Sequence, residues 1–377
     1  MPRPLILAAL IAFAPFRPGW AQTPATQTPA TQAPPPQAAD APIEDPLVPP
    51  VELAAFARRA SHPFSSSPQK LQALLTAMFR SPEDGGLGIV YDNAKSRSIK
   101  EVWQDRKANC LGLTSLFVAA SRSIGIDVHY AEPVNTSRWH RNGGLVRFER
   151  HVVAMALIPP MEDLVADFLP KLQKRESRYV VTFLTEERVR ALWAANRAVE
   201  RMEAGDMGQA EAFASKALAF DPLCGIGWNT LGVLRTMQGN RREAETCYRK
   251  ALVLDRADGA AIGNMENLLR TEGRWEEALN YRRLGLELRR RDPYFQAFLA
   301  EEAFAEGRFE EAQTYIKAAI KLQPYDPDLY VIEASIRISL GRGRDAEKSL
   351  ELARKWATPR ERDRFDTKLA AIRQSNG

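Results

Sequence analysis

The chain has 377 residues, of which 45% are hydrophobic and 26% charged, and its formal net charge is +5. That length predicts two or three domains, and the hydrophobic share is enough for globular cores. Two of the excess arginines, Arg3 and Arg17, lie near the N-terminus, so the remainder is close to charge balance and lacks the basic excess typical of a nucleic-acid-binding protein.

The N-terminal segment is predicted to precede the folded domains. Residues 1–21 are typical of a cleavable signal peptide, because Arg3 is followed by the apolar run LILAALIAFAPF and small residues precede Gln22. Pro15 ends this run too early for a stable membrane span. Residues 22–50 are rich in Pro, Ala, Gln and Thr, which predicts a disordered linker. We therefore expect an exported protein, either secreted or periplasmic in a bacterium.

Residues 51–185 combine helical and strand patterns, which predicts an α+β domain. Its helices include a short one capped by Ser98 and a buried one that begins at Cys110 and ends before Gly125. Four strand-like runs follow, with the sequences DVHYAEPV, VRFERHVVAMALI, EDLVADF and YVVTFLT. The turn signal Asn142-Gly143-Gly144 lies between the first and the second of these runs.

The remainder of the chain repeats itself every 34 residues, in one row of glycines and two rows of small residues. These positions are Gly205, Gly239, Gly273, Gly307 and Gly341, then Ala210, Ala244, Ala278, Ala312 and Ala346, then Ala217, Ala251, Gly285, Ala319 and Ala353. Small residues let two helices approach closely around a turn, and the helix pairs must stack to bury their apolar sides. The pattern resembles the tetratricopeptide repeat. That resemblance implies an all-α solenoid of five repeats over residues 186–360, a capping helix over 361–377, and a protein partner on the concave face.

Three residues of the mixed domain point to acyl-transfer chemistry. Cys110 begins a helix, and a helix N-terminus stabilises a thiolate. His151 and Asp167 lie on two predicted strands of a hairpin centred near position 159, which would place the imidazole and the carboxylate on one sheet face. A nucleophile, a base and an acid that orients the base form a catalytic triad.

Other assignments of these roles stay open. The candidate nucleophile is also consistent with a buried structural cysteine. His129 and His140 are alternative bases, and Asp163 is an alternative acid in the predicted turn. No histidine pair has the spacing of a metal site, so neither a metal nor another cofactor is expected. Since the chain has three cysteines, at least one is unpaired within it, and Cys224 and Cys247 either pair or are buried separately.

The segments EVWQDRKANCLGLTSLFVAASRSIGI, RHVVAMAL and VADF resemble the transglutaminase-like superfamily, a branch of the papain-like fold, over roughly residues 65–185. Cys110 at a helix start, Gly125-Ile126 at the helix end, and His151 and Asp167 on successive strands carry the resemblance. It implies a papain/transglutaminase-like α+β domain with a Cys-His-Asp triad. Such a domain acts as a peptidase, amidase or transamidase on a peptide or protein.

The resemblance also bears on the surroundings of the triad. Asn109 stands where glycine is common in the family, and Val152 stands where an aromatic residue often follows the histidine, so the substrate class is left open. Gln104, six residues before the cysteine, has the spacing of the side-chain oxyanion donor in papain-like enzymes. Candidate substrate contacts lie in a predicted loop at Trp139, His140 and Arg141.

Two functions from different classes fit these observations. The favoured one is an exported, monomeric, cysteine-dependent acyltransferase whose repeats recognise a partner or the substrate. The alternative is a scaffold in cell-envelope assembly, in which the first domain keeps its fold without activity and the repeats bind proteins. Neither function involves nucleic acid. A fast reaction of Cys110 with a thiol probe would favour the enzyme over the scaffold.

Overall fold

The computed structural model describes residues 43–133, 138–142, 145–149, 151–157, 164–168 and 181–357, together with 362, 365–367, 369 and 370. The predicted signal peptide and most of the predicted linker therefore lie outside the described residues. Within them, an α/β part is followed by ten helices that pack as antiparallel pairs. None of the helices in these ranges has the length and apolar character needed to cross a membrane.

The described α/β part has helices on one face of a small central sheet. Its helices are α1 (Glu52–Ser61), α2 (Ser67–Phe79), α3 (Ile99–Asp105) and α4 (Cys110–Ser123). Its strands are β1 (Val90–Tyr91), β2 (Lys107–Ala108), β3 (Val128–Pro133), β4 (Arg138–Asn142), β5 (Leu145–Glu149), β6 (Val153–Ala156), β7 (Leu164–Ala166) and β8 (Val181–Leu184). The central sheet is antiparallel in the order β7-β6-β3-β8, while β1 pairs with β2 and β4 with β5.

Helix α4 packs against the central sheet, where it contacts β3 and β6. This helix is buried on every side, which explains why its sequence is apolar on every side. Leu113 and Leu116, for example, have no exposed surface. Side chains of β6 alternate between two faces. Ala154 belongs to the core that α4 shares, whereas Val153 belongs to a separate apolar cluster. This packing places the first turn of α4 beside the sheet.

The run VRFERHVVAMALI, predicted as one strand, is two strands in different sheets. Strand β5 ends at Glu149 and β6 begins at Val153. The first half of the run carries charges and pairs with β4 in a two-stranded ribbon, whereas β6 is buried at every position. Asn142 pairs with Leu145, so the predicted turn connects paired strands, although Gly143 and Gly144 lie outside the described residues.

The ten C-terminal helices form five antiparallel hairpins within the described residues. They are α5 (Glu186–Glu203), α6 (Met207–Phe220), α7 (Gly225–Met237), α8 (Arg241–Leu254), α9 (Gly259–Thr271), α10 (Trp275–Arg291), α11 (Pro293–Ala305), α12 (Phe309–Leu322), α13 (Pro327–Ser339) and α14 (Gly343–Trp356). Each turn contains one glycine of the 34-residue row, and these glycines have φ between 71° and 79°. That left-handed conformation costs glycine little, so the turn prediction is confirmed.

The hydrophobic core of the α/β part extends into the solenoid as far as α10, and a separate core begins at α11. One apolar core includes residues of α4, of α5 and of the following helices as far as Ala278 on α10. A second cluster begins at Ala297 on α11. Strand β4 contacts α11, so the β4–β5 ribbon reaches the solenoid at this change. The described residues near the C-terminus are helical, and Phe365 and Leu369 are buried against the last hairpin, as a capping helix requires.

The last residues of the predicted linker, 43–50, are packed on the folded part. Ile43 and Leu47 contact the main core, and both oxygens of the Asp45 carboxylate lie 2.9 Å from Nε of Arg190 on α5, whose N–H they share. The prediction of a disordered linker is therefore wrong for residues 43–50. Two apolar side chains and one partly buried ion pair explain why these residues are packed.

We expect Gly232→Ala to destabilise the second hairpin by about 2 kcal/mol. A Cβ at Gly232 would lie 2.5 Å from Cε1 of Tyr248. That ring is buried, and its hydroxyl is held 2.9 Å from Oγ1 of Thr236, so it has little freedom to move away. Gly259→Ala is the matched control, because no atom lies within 4 Å of its Cβ position. Urea denaturation of both variants checks the prediction, and equal stability would contradict it.

Candidate functional site

Cys110 is the first residue of α4, and its position is set by Asn109. The Asn109 side chain caps the helix, because its Oδ1 accepts a hydrogen bond of 3.0 Å from the N–H of Gly112. Cys110 itself is 3% exposed. Its thiol therefore lies at the positive end of a helix and is shielded from solvent.

His151 and Asp167 lie at the same end of the central sheet. His151 is just before β6 and Asp167 directly follows β7, and these strands run antiparallel. Nε2 of His151 and Oδ1 of Asp167 are 2.7 Å apart, and their side chains are 3% and 7% exposed. The carboxylate therefore fixes the orientation of the imidazole in a largely dry environment.

The register of this hairpin differs from the predicted one. Ala154 pairs with Ala166, and Met155 with Val165, so the hairpin is centred on position 160 and not on 159. His151 and Asp167 are thus diagonal neighbours and do not lie directly opposite each other. They still share a sheet face because side chains alternate with a period of two, and the error in register was also two residues along one strand. The predicted contact exists for that reason.

His151 also interacts with Cys110. Burial lowers the pKa of His151, but hydrogen bonds to Asp167 and to Cys110, and the charges of both partners, outweigh burial and raise it to about 9. Asp167 accepts from Nε2 of this ring. At neutral pH the ring is therefore an imidazolium held by the Asp167 carboxylate beside the Cys110 side chain.

Thr114 ties the helix to the strand that carries the histidine. Its buried hydroxyl donates a hydrogen bond of 3.1 Å to the carbonyl oxygen of Val152, the neighbour of His151. Thr114 lies one helical turn after Cys110 and so on the same side of α4. Sequence reasoning missed this residue, although a lone threonine four positions after the cysteine in an apolar helix was an available signal.

The alternative base His129 is engaged elsewhere. It lies on β3, where its Nε2 is 3.1 Å from Oδ2 of Asp127 and its ring packs edge-on against Phe183. Its partner across the sheet is Met155, which belongs to the apolar cluster separate from the core of α4. The alternative acid, Asp163, lies outside the described residues. Among the candidates with described side chains, His151 is thus the histidine that contacts Cys110.

The described part of the structure shows no contact that assigns a catalytic or binding role to the remaining candidate residues. Gln104 lies on α3 with an exposed side chain. Trp139, His140 and Arg141 lie on β4, which contacts α11, and their side chains lie outside the described part. Within the described residues, no cluster of three or more His, Cys, Asp or Glu side chains is arranged to hold a metal ion. The roles predicted for these residues stay predictions.

The other two cysteines provide an internal comparison. Cys224 and Cys247 lie in the solenoid, do not form a disulfide with each other, and are 0% and 6% exposed. Burial raises the pKa of Cys247. All three thiols are therefore shielded from solvent to a similar extent, and a difference in their reactivity must come from their chemical surroundings.

Similar solved structures include several helical-repeat proteins. One, described as the functional characterization of Pseudomonas aeruginosa pilF, is 19% identical and covers 48% of this chain and 84% of that chain, with a TM-score of 0.26. YrrB, a TPR protein with an unusual peptide-binding site, is 20% identical over 48% of this chain and 92% of that chain, with a TM-score of 0.25. A thermophilic TPR protein of Thermus thermophilus is 16% identical over 48% of this chain and 98% of that chain, also with a TM-score of 0.25.

Family models identify the C-terminal repeats. The chain matches no curated protein. Two models described as tetratricopeptide repeat match residues 261–294 and 295–326. These ranges coincide with the hairpins α9–α10 and α11–α12, and the glycine at each turn recurs in all five hairpins of the described solenoid. The C-terminal part of the chain therefore consists of tetratricopeptide repeats, which indicate binding of a protein partner.

Proposed function

We propose that the protein is an exported, cysteine-dependent acyltransferase of the transglutaminase-like type, acting as a peptidase, amidase or transamidase on a peptide or protein. The observation that carries this proposal is the buried His151–Asp167 pair, whose imidazole interacts with Cys110 at a helix start. A nucleophile, a proton carrier and an orienting carboxylate are the parts that acyl transfer needs. The tetratricopeptide repeats would recognise the substrate or a partner that presents it.

The geometry supports a two-stage reaction. The Cys110 thiolate attacks the carbonyl carbon of an amide, and the N–H of Cys110 donates to the oxyanion that forms. The imidazolium of His151 gives its proton to the departing amine as the C–N bond breaks, which leaves a thioester on Cys110. Water or an amine then attacks the thioester while His151 takes a proton back, and the C–S bond breaks to restore the thiolate. Asp167 holds the ring through both stages.

A second function is favoured by one observation, the low exposure of the site. Cys110 and His151 are 3% and 4% exposed, which is also what a structural cysteine in an inactive scaffold would show. In that case the repeats alone would provide the biological activity by binding proteins during assembly of the cell envelope. The chemistry of the thiol separates the two functions, since a structural thiol lacks activation.

The test compares the three thiols of one protein. Iodoacetamide, a small probe suited to a closed site, should alkylate Cys110 at neutral pH at least about tenfold faster than Cys224 or Cys247, as measured by peptide mass spectrometry. Cys247 is slightly more exposed than Cys110, so exposure alone predicts the opposite order. p-Nitrophenyl acetate should acetylate Cys110 with a stoichiometric burst of p-nitrophenolate that Cys110→Ala abolishes. Equally slow labelling of the three cysteines would favour the scaffold.

A further inference from the structure

Hydrogen bonds connect the residue that caps the Cys110 helix, Asn109, to the first helix of the solenoid. Asn109 has no exposed surface, and both ends of its side-chain amide are used. Its oxygen accepts from Gly112, and its Nδ2 donates a hydrogen bond of 3.1 Å to Oγ of Ser96, which is also completely buried. Since the peptide plane between Asn109 and Cys110 carries the N–H of Cys110, fixing Asn109 fixes the direction of that N–H.

Ser96 is in turn held by the first solenoid helix, α5. Its N–H donates a hydrogen bond of 2.6 Å to Oε1 of Glu200, and its carbonyl oxygen accepts one of 3.1 Å from Nε1 of Trp193. Arg197 pairs with the second carboxylate oxygen of Glu200 at 2.7 Å. The backbone of Ser96 is thus fixed by residues of α5.

We propose that α5 positions the Cys110 nucleophile and its oxyanion-binding N–H through Ser96 and Asn109, so that Glu200, Ser96 and Asn109 are positioning residues of the site. This inference rests on the proposed function. It implies that the working acyl-transfer unit includes α5, and that the first helix of the repeats serves both the solenoid and the cysteine site. Ordered buried networks of this kind hold a reacting geometry because each partner has few alternatives.

The test uses the full chain and two probes. Alkylation by iodoacetamide needs the thiolate, whereas acetylation by p-nitrophenyl acetate needs the thiolate and an oxyanion donor. Ser96→Ala removes the acceptor of Asn109 and should slow acetylation about thirtyfold but alkylation by only about threefold. A general loosening of the fold would slow both reactions alike. Ser96→Thr, which keeps the hydroxyl, should restore most of the acetylation rate.

The matched control is Ser121→Ala in the same helix as Cys110. Ser121 is also completely buried, but its Oγ has no hydrogen-bond partner within the described structure, so both rates should stay unchanged. Should Ser96→Ala fail to fold, Glu200→Gln replaces it, because the amide keeps an oxygen for Ser96 and loses the charge. Glu200→Gln should slow acetylation about fivefold with a smaller effect on alkylation.

These measurements distinguish a failure of the proposed function from a failure of the positioning role. If Cys110 of the unmodified protein reacts no faster than Cys247, the proposed function itself is contradicted. If Cys110 reacts fast, but Ser96→Ala and Glu200→Gln leave the ratio of acetylation to alkylation unchanged, the positioning role alone is overturned.

Discussion

Replacement of His151 with glutamine should slow the alkylation of Cys110 by iodoacetamide at neutral pH about a hundredfold. An isolated thiol is mostly protonated at neutral pH, and in the proposed mechanism the imidazolium of His151 is the charge that would stabilise the thiolate. The ring is protonated at that pH because its two negative partners raise the pKa of His151 to about 9 against the effect of burial. Glutamine keeps a polar side chain of similar length but carries no charge, so it removes that stabilisation.

The pH dependence of the rate makes the result specific. Between about pH 6 and pH 8 the rate should rise more steeply with pH in His151→Gln than in the unmodified protein, because only the unmodified protein keeps a positive charge beside the thiol over this range. His129→Gln is the matched control, since His129 pairs with Asp127 and lies apart from α4. If His151→Gln matches the control in rate and in pH dependence, His151 is not the base.

Local patterns in the sequence predicted the parts of the site well. The start of α4 could be recognised because Asn109 is a strong helix cap and the following run is apolar on every side. The turn glycines of the solenoid could be recognised because a positive φ restricts the choice of residue, and the restriction recurs every 34 residues. Each helix cap and each turn depends on neighbours within a few positions, and the 34-residue recurrence repeats such a local signal.

The strand register and the long-range contacts between these elements were harder to predict from the sequence. An alternating apolar pattern fixes the face on which His151 and Asp167 lie, but a shift of two residues leaves that pattern unchanged, so the register was predicted wrongly while the contact was predicted correctly. The bond between Ser96 and Glu200 joins residues 104 positions apart. No local pattern marks Ser96, because its importance comes from a helix that the sequence assigns to another domain.

The stability of the protein should depend on pH through His151, and Asp167→Asn should remove most of that dependence. In the folded protein the pKa of His151 is raised to about 9, whereas in the unfolded chain it is near the reference value of about 6.5. Between these values the folded state binds a proton that the unfolded state has released. The stabilisation is therefore complete below about pH 6.5 and is lost as the pH rises through about 9, at a slope of at most about 1.4 kcal/mol per pH unit.

Urea denaturation at several pH values between these limits measures the slope directly. Asp167→Asn removes the carboxylate that accepts from Nε2 of His151, so the free energy of unfolding should become nearly independent of His151 over this range. Gly232→Ala is a suitable control because it should destabilise the solenoid without removing a titrating group. It should lower the curve of unfolding free energy against pH by the same amount at every pH. If Asp167→Asn also lowers the curve without changing its slope, then the carboxylate does not hold a charged imidazole. In that case Asp167 has only a packing role in the site.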